Sequence, residues 1–467
     1  MPVVVAILTV LLLGGLVDRR DRPAPSATTL PPVPMAAAAD ARSSAWYCTG
    51  ATAARDGAAD GQILLFNAGR RRLRGTITVY PNQGEVRRTE VEVAAASRRA
   101  VRLADVASAP YASAVVELDG GEAVVELAAT GTLGDAVTPC ATAASPHWYF
   151  ADGVTTRDAT EVLLLFNPFP DDAILDLVFG TEEGQVTPQA LTGLSVRGEA
   201  MAVVNVGEFV QRREQVTAAV TARTGRMVVS RLQSFDGSAG RRGMSLALGA
   251  AAVGEQWYLP EGLVADGLTQ RYHIFNPGAE EAAVAIELAL EQGDAEPIQL
   301  TVPANSRVTV AANEETRIPK GVPHAATVRS VNGVGVVVER SVDAAPAARR
   351  TGSSLTPGAQ VTARRWALAA GAADDTYDEW LVFQNPGPRT AVVSVRVLSD
   401  GGLVSHDSLQ GLEVGPGQRR SVRLADTVKG AATPAVVEAD QPIVVERDVH
   451  RLKGLGTAMS IGIPLRD

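Results

Sequence analysis

The side chains with the clearest chemical possibilities are carboxylates that follow tryptophans. Behind Trp46 come Asp56 and Asp60; behind Trp148, Asp152, Asp158 and Glu161; behind Trp257, Glu261 and Asp266; behind Trp366, Asp374, Asp375, Asp378 and Glu379. Oxygen-rich loops of this kind bind calcium when they gather six to eight ligands. Yet the residue four places after the tryptophan is Asp152 or Glu261 in the middle pair and Gly50 or Ala370 in the outer pair. A shared metal site would not drop the same ligand twice, so these acids read as solvated loop carboxylates and no metal or cofactor is expected. The histidines, His147, His273, His324, His406 and His450, stand singly, with no pair at zinc-site spacing. No Gly-x-Ser-x-Gly elbow, phosphate loop or Cys-His arrangement occurs, and nothing selects a facing pair of glycosidase carboxylates. Catalysis is therefore not expected.

The tryptophans themselves organise the chain. Trp46, Trp148, Trp257 and Trp366 lie 102, 109 and 109 residues apart, the size of one sandwich domain. Each is followed by an apolar run closed by Asn67, Asn167, Asn276 or Asn385, and later by a valine-rich strand. Those strands read Val124-Val125-Glu126-Leu127, Val228-Val229-Ser230-Arg231, Val337-Val338-Glu339-Arg340 and Val444-Val445-Glu446-Arg447. Glu beside Arg on a strand is the composition of a solvated sheet face. If first and last strands are neighbours, indole and guanidinium can stack, a structural role worth about 0.5 to 1 kcal/mol. Were the indoles exposed instead, the four tryptophans would form candidate surface platforms for sugar rings.

Period-two alternation supports strands: Val284, Ile286 and Leu288 share one face, as do Val393, Val395 and Val397. In the second copy, strands are expected at 148–150, 162–166, 174–179, 189–196, 200–206, 216–222, 227–232 and 244–248, with turns at Asn167-Pro168 and Gly184. Helix is limited to single turns at 209–215 and 426–429. The reading is all-β: four tandem immunoglobulin-like antiparallel β-sandwich repeats, at 46–141, 146–250, 255–358 and 364–467. Linkers are only a few residues long, so neighbours should pack against one another, laid end to end as a rod.

Residues 1–17 form an apolar stretch slightly short of the roughly 20 that span a bilayer, ending against Asp18-Arg19-Arg20. It lacks a basic start and a near small-residue cleavage site, so it reads as an uncleaved signal anchor helix, with a cleaved signal as the alternative. The arginines after it depart from the usual charge rule, which leaves the position of the true start codon open. Residues 18–45, with Pro23, Pro25, Pro31, Pro32 and Pro34, form an extended linker reaching up to roughly 90 Å at about 3.1 Å per residue. Cys48 and Cys140 are the only cysteines. In an oxidising compartment they would tie the first strand of the first copy to its last, worth on the order of 4 kcal/mol. Net charge is −9 with both signs interleaved, so no basic stripe exists for nucleic acid.

The recurrent text Trp148-Tyr149-Phe150-Ala151-Asp152-Gly153, Trp257-Tyr258-Leu259-Pro260-Glu261-Gly262, Phe166-Asn167-Pro168, Phe275-Asn276-Pro277, residues 303–310 and Val-Val-Glu-Arg resembles a repeat of exported, often membrane-anchored actinobacterial proteins of unknown function. That resemblance brings no activity, cofactor or catalytic residue with it. The first copy departs from it most, with Cys48, Ala68 and Leu127 at pattern positions. The expected role is a non-enzymatic extracytoplasmic scaffold or interaction protein, held to the cytoplasmic membrane by its N-terminal segment and meeting an envelope protein or polysaccharide. A glycan-binding module and an accessory subunit of a cell-wall-processing enzyme are the alternatives.

Overall fold

The computed structural model describes residues 33–55, 57–293, 295–399 and 402–466. The anchor segment, residues 1–17, and most of the linker lie outside the described residues. Among those described, no helix is long and apolar enough to cross a membrane. The described residues are all-β, with only single 3₁₀ turns between their strands.

The segment headed by Trp148 shows the plan. One antiparallel sheet has the order Ala200–Asn205, Ala159–Asn167, Val228–Asp236, Arg242–Leu248; the other has Gly184–Val186, Ala173–Thr181, Val216–Thr224, His147–Phe150, with Thr192–Val196 also on Ala173–Thr181. Period-two alternation turns Leu163 and Leu165 of one sheet and Leu175, Leu177 and Phe179 of the other into a shared dry interior. The single helical turn forms at Val206–Glu208, slightly before 209–215, because Asn205 accepts from the Gly207 amide and starts it there. Likewise the later turn lies at Leu424–Asp426.

The segments headed by Trp257 and Trp366 carry their own interiors around Ile286 and Val328, and around Val395 and Val437. In the last segment a single 17-residue strand, Ala435–Arg451, serves both sheets: its first half pairs with Ala391–Ser399 and its second half with Tyr377–Asn385. The interior of the first segment continues into the next through Leu164, Phe166 and Leu246.

The expected rod is corrected. The final strands, Gly134–Pro139, Arg242–Leu248, Gly352–Pro357 and Thr457–Ile461, touch in that cyclic order and the fourth returns to the first. Glycines let these backbones approach. A Cβ on Gly243 would stand 2.2 Å from the Ser353 nitrogen, and one on Gly134 would stand 3.1 Å from the Gly456 Cα. Met459 donates its amide to Ser354 Oγ at 3.0 Å, and Leu248 donates to Thr138 Oγ1 at 3.0 Å. Short linkers force neighbours together, and the contact of the fourth final strand with the first closes the array.

Two sequence signatures now have physical causes. Each motif asparagine is buried and holds a turn from inside: Asn276 Nδ2 donates to the carbonyls of Glu280, Val302 and Pro303 at 2.7, 3.1 and 3.3 Å, while Oδ1 accepts from the Gly278 amide at 2.9 Å. Asn67, Asn167 and Asn385 make the same four contacts. Cys48 and Cys140 form the disulfide, with Cα atoms 4.5 Å apart, beside the mutual backbone bonds of Tyr47 and Ala141. Tyr149 with Ala250, and Tyr258 with Ala359, make that backbone bridge without a disulfide.

Asn276→Ala removes the donor from three carbonyls, that of Val302 buried, and the acceptor from one amide at once. Urea denaturation should show a loss of about 2 to 4 kcal/mol. Asn276→Asp, which cannot donate, should lose a comparable amount, and an unchanged midpoint for either variant would remove the asparagine from this role.

Candidate functional site

The tryptophans are not a surface platform. Trp46, Trp148, Trp257 and Trp366 are 0 to 2% exposed. Three of the indoles donate to backbone carbonyls: Trp148 to Met227 at 2.8 Å, Trp257 to Val336 at 2.9 Å and Trp366 to Ile443 at 3.1 Å. They tie the first strand to the entry of the valine-rich strand. The guanidinium that was to stack on an indole lies elsewhere: Arg231 sits 5.2 Å from the centre of the Phe150 ring.

The Glu-Arg pairs are the second correction. Glu126, Glu339 and Glu446 are buried, as are Arg231, Arg340 and Arg447. Neighbouring residues on a strand point to opposite sides. On the strand Val337–Ala344, Glu339 therefore reaches back to the segment headed by Trp148, and Arg340 reaches forward to the segment headed by Trp366. Glu339 Oε2 accepts from Arg231 at 3.2 Å and from the amides of Ala151 and Asp152 at 3.0 and 2.7 Å. Glu446 accepts from Arg340 at 2.5 Å and from the Glu261 amide at 3.0 Å. Glu126 accepts from Arg447 at 3.2 Å and from the amides of Ala369 and Ala370 at 2.8 and 2.6 Å. The carboxylate of one segment thus caps the loop after the tryptophan of its neighbour, with that neighbour's arginine beside it.

The fourth junction is neutral. Where an arginine would stand, the first segment has Leu127; where a glutamate would stand, the second has Ser230, whose hydroxyl donates to the Thr49 carbonyl at 2.5 Å. The two substitutions face each other, so neither a lone arginine nor a lone glutamate is buried there.

Several loop acids belong to the same junctions. Asp152 is buried, 2.8 Å from Arg307 Nη1 and 3.5 Å from His273 Nδ1. Burial would raise its pKa, but His273, Arg307 and Arg231 together hold it below the ordinary carboxylate range. Glu261 pairs with Arg419 at 2.7 Å, and that arginine is itself buried. Asp158 is buried and accepts from Thr156 Oγ1 at 2.7 Å. Among the described loop acids, solvation therefore describes Asp266, exposed beside Lys320 at 2.6 Å, and exposed Asp375, while Asp56 lies outside the described residues. Asp374 caps its own loop through the amides of Thr376 and Tyr377. Among the described residues no three His, Cys, Asp or Glu side chains gather as a metal site.

Burial pushes the pKa of Glu161 up to about 8 and that of Glu379 up to about 7, and it pushes His273 down to about 3 and His324 down to about 4. Both oxygens of Glu161 are without partners, which suits a protonated acid. The equivalent positions are Gly61, Gln270 and Glu379, and Gln270 donates to Tyr272 Oη at 2.7 Å. The complementary Glu126-Leu127 and Ser230-Arg231 were the sequence signals for the junctions.

With this geometry in hand, the comparisons can be placed on the fold. Residues 123–354 match a family of unknown function, DUF5719. The DUF5719 match starts at the strand Ala123–Gly131, which carries Glu126, and ends within Gly352–Pro357. It includes the Arg231–Glu339 junction. The crystal structure of Thermotoga maritima 1070 is 19% identical over 23% of this chain and 94% of that one, with a TM-score of 0.21. The Anabaena sensory rhodopsin transducer is 27% identical over 19% and 83%, with a TM-score of 0.18. A tetra-tandem repeat from the extending region of a large adhesion protein is 12% identical over 90% and 99%, with a TM-score of 0.10. No curated protein matches.

Removing one partner of a buried pair costs about 3 to 5 kcal/mol, because the other charge is stranded. Glu339→Ala should show that loss in urea denaturation. The double variant Arg231→Leu/Glu339→Ser, which copies the neutral junction, should recover most of it; equal destabilisation by both would contradict the pairing.

Glu161 also sets a pH slope. Its folded pKa is raised, so its contribution to stability is intact below the unfolded value near 4.5 and is lost as pH rises toward about 8. Over that window one group contributes up to roughly 1.4 kcal/mol per pH unit. Melting curves from pH 5 to pH 8 should therefore flatten in Glu161→Gln, which should gain stability over the native chain at pH 8. Parallel curves for the two proteins would place the slope elsewhere.

Proposed function

We propose that the protein is a non-enzymatic scaffold or interaction protein of the cell envelope, extracytoplasmic and held to the cytoplasmic membrane by its N-terminal segment. It is built of four copies of one immunoglobulin-like sandwich unit in an actinobacterial type of chain. One observation carries the reading: the buried Arg231–Glu339, Arg340–Glu446 and Arg447–Glu126 pairs are spent on joining neighbours, so the closed body presents its outer faces in fixed relation. A buried charged pair aligns surfaces more than it adds stability. The Cys48–Cys140 disulfide supports an oxidising compartment. The match to a family without known function is compatible with this and adds no activity of its own.

The alternatives keep their place with altered residues. Burial removes the four tryptophans from the glycan-binding reading and moves it to the outer surface. The accessory-subunit reading would use the same fixed outer faces to hold a cell-wall-processing enzyme.

Fractionation of cells expressing the full-length chain tests the proposal. The chain should sit in the membrane fraction, react with a thiol reagent only after reduction, and crosslink to envelope material. A cytosolic chain with two freely reactive thiols would sink it.

A further inference from the structure

Between the first and second segments lies an open groove of about 550 Å³, within the roughly 300 to 1,000 Å³ common for small-molecule sites. Its floor is the outer face of a sheet. Register aligns Arg88, Thr78, Val115 and Tyr47 in one row across four strands, and the next row holds Glu117 opposite Ala45. Its far wall is the Asn167 turn of the second segment, which presents Phe169, with Glu199 behind it. Tyr80 closes one end and is backed by the Phe166 ring at 5.1 Å.

The groove is unlike its counterpart. The cleft between the third and fourth segments holds about 100 Å³. Gln384 Nε2 donates to Thr327 Oγ1 at 2.9 Å and so bridges its two walls, and Arg329 pairs with Glu287 at 3.3 Å; in the groove Arg88 and Glu117 meet Thr76 Oγ1 of their own sheet at 3.1 and 3.5 Å. The residue two places after the motif asparagine is Gly69, Gly278 and Gly387 elsewhere, but Phe169 here. Each of these four residues donates its amide to the asparagine Oδ1 in the same way, so the turn does not require the ring. Arg226 lies 4.7 Å from the centre of the Phe169 ring and fixes it at the rim.

We infer that this groove is a saccharide-binding site, in which Phe169 and Tyr47 take the apolar face of a sugar ring and Arg88 and Glu117 bond its hydroxyls. Aromatic rings offer apolar area with a wet edge, and fork-shaped or two-oxygen side chains suit neighbouring hydroxyls. The chemistry argues against an organic cation, since Arg87, Arg88 and Arg226 oppose Glu117 and Glu199 around one small space. The inference rests on the interaction-protein reading and gives it a ligand class and a place.

Calorimetric titration of the full-length chain, solubilised in detergent, with chitotriose and with trigalacturonate tests the site. At least one saccharide should bind, trigalacturonate alone if the arginines dominate. Phe169→Gly, the residue found at the other three turns, and Arg88→Ala should each weaken binding at least tenfold; the Phe169 ring also packs on the interior of the second segment, so Phe169→Gly lowers the melting temperature while keeping a cooperative transition, and Gln384→Ala in the other cleft should leave binding intact. If neither sugar binds, if Phe169→Gly binds as the native chain does, or if only a polyproline peptide binds, the assignment is overturned. Membrane fractionation of the Phe169→Gly chain separates the two ideas: failure of the groove alone leaves the protein in the envelope.

Discussion

A charge placed in a sheet interior must find its counter-charge there, and in this protein the neighbour supplies it. The valine-rich strands of the third and fourth segments carry glutamate and arginine at adjacent positions, and strand geometry sends the two in opposite directions. Those two segments are therefore incomplete on two sides, burying an acid on one and a base on the other, while the first segment buries an acid alone and the second a base alone. Docking satisfies both, and the desolvation that makes an isolated buried ion so costly becomes a requirement for correct neighbours. At the three charged junctions the loop after the tryptophan is drawn into the same contact, because its amides point at the arriving carboxylate.

That arrangement separates interior chemistry from exterior chemistry. Indoles, asparagines and the Glu-Arg pairs are buried and tie strand to strand, turn to turn or segment to segment. The outer faces are left to differ, and they do differ, most plainly where Phe169 replaces a glycine. Variation that leaves the asparagine clasp untouched can change a surface without disturbing the body beneath it.

The all-β class was legible in the residues: the eight strands anticipated in the second copy fall within a few residues of those observed, since apolar alternation and Gly, Pro and Asn turns are local signals. The disulfide was legible too, from two cysteines at the ends of one copy. Closure was not, because the angle between neighbours depends on backbone approach at Gly134, Gly243, Gly352 and Gly456, which no local period encodes. Burial of Glu339 and Arg340 was misread because composition alone cannot tell a solvated charged face from one covered by another segment. The clue lay in comparing copies: Leu127 lacks a base and Ser230 lacks an acid, a matched pair of losses that makes sense only across a contact. Reading Asp152 and Glu261 as wet loop residues failed for the same reason.

The uncharged seam at Leu127 and Ser230 has a consequence for how such a chain assembles. Similar modules strung on one polypeptide are prone to docking on the wrong sibling during synthesis. Here the second segment offers a base but no acid, the first an acid but no base, and the third and fourth both. A mispairing of the first module's leucine edge with an acidic edge would leave that acid unanswered in a dry contact. The seam therefore acts as an address label: it marks where the circle begins, and it gives four look-alike pieces one low-energy order in which to meet.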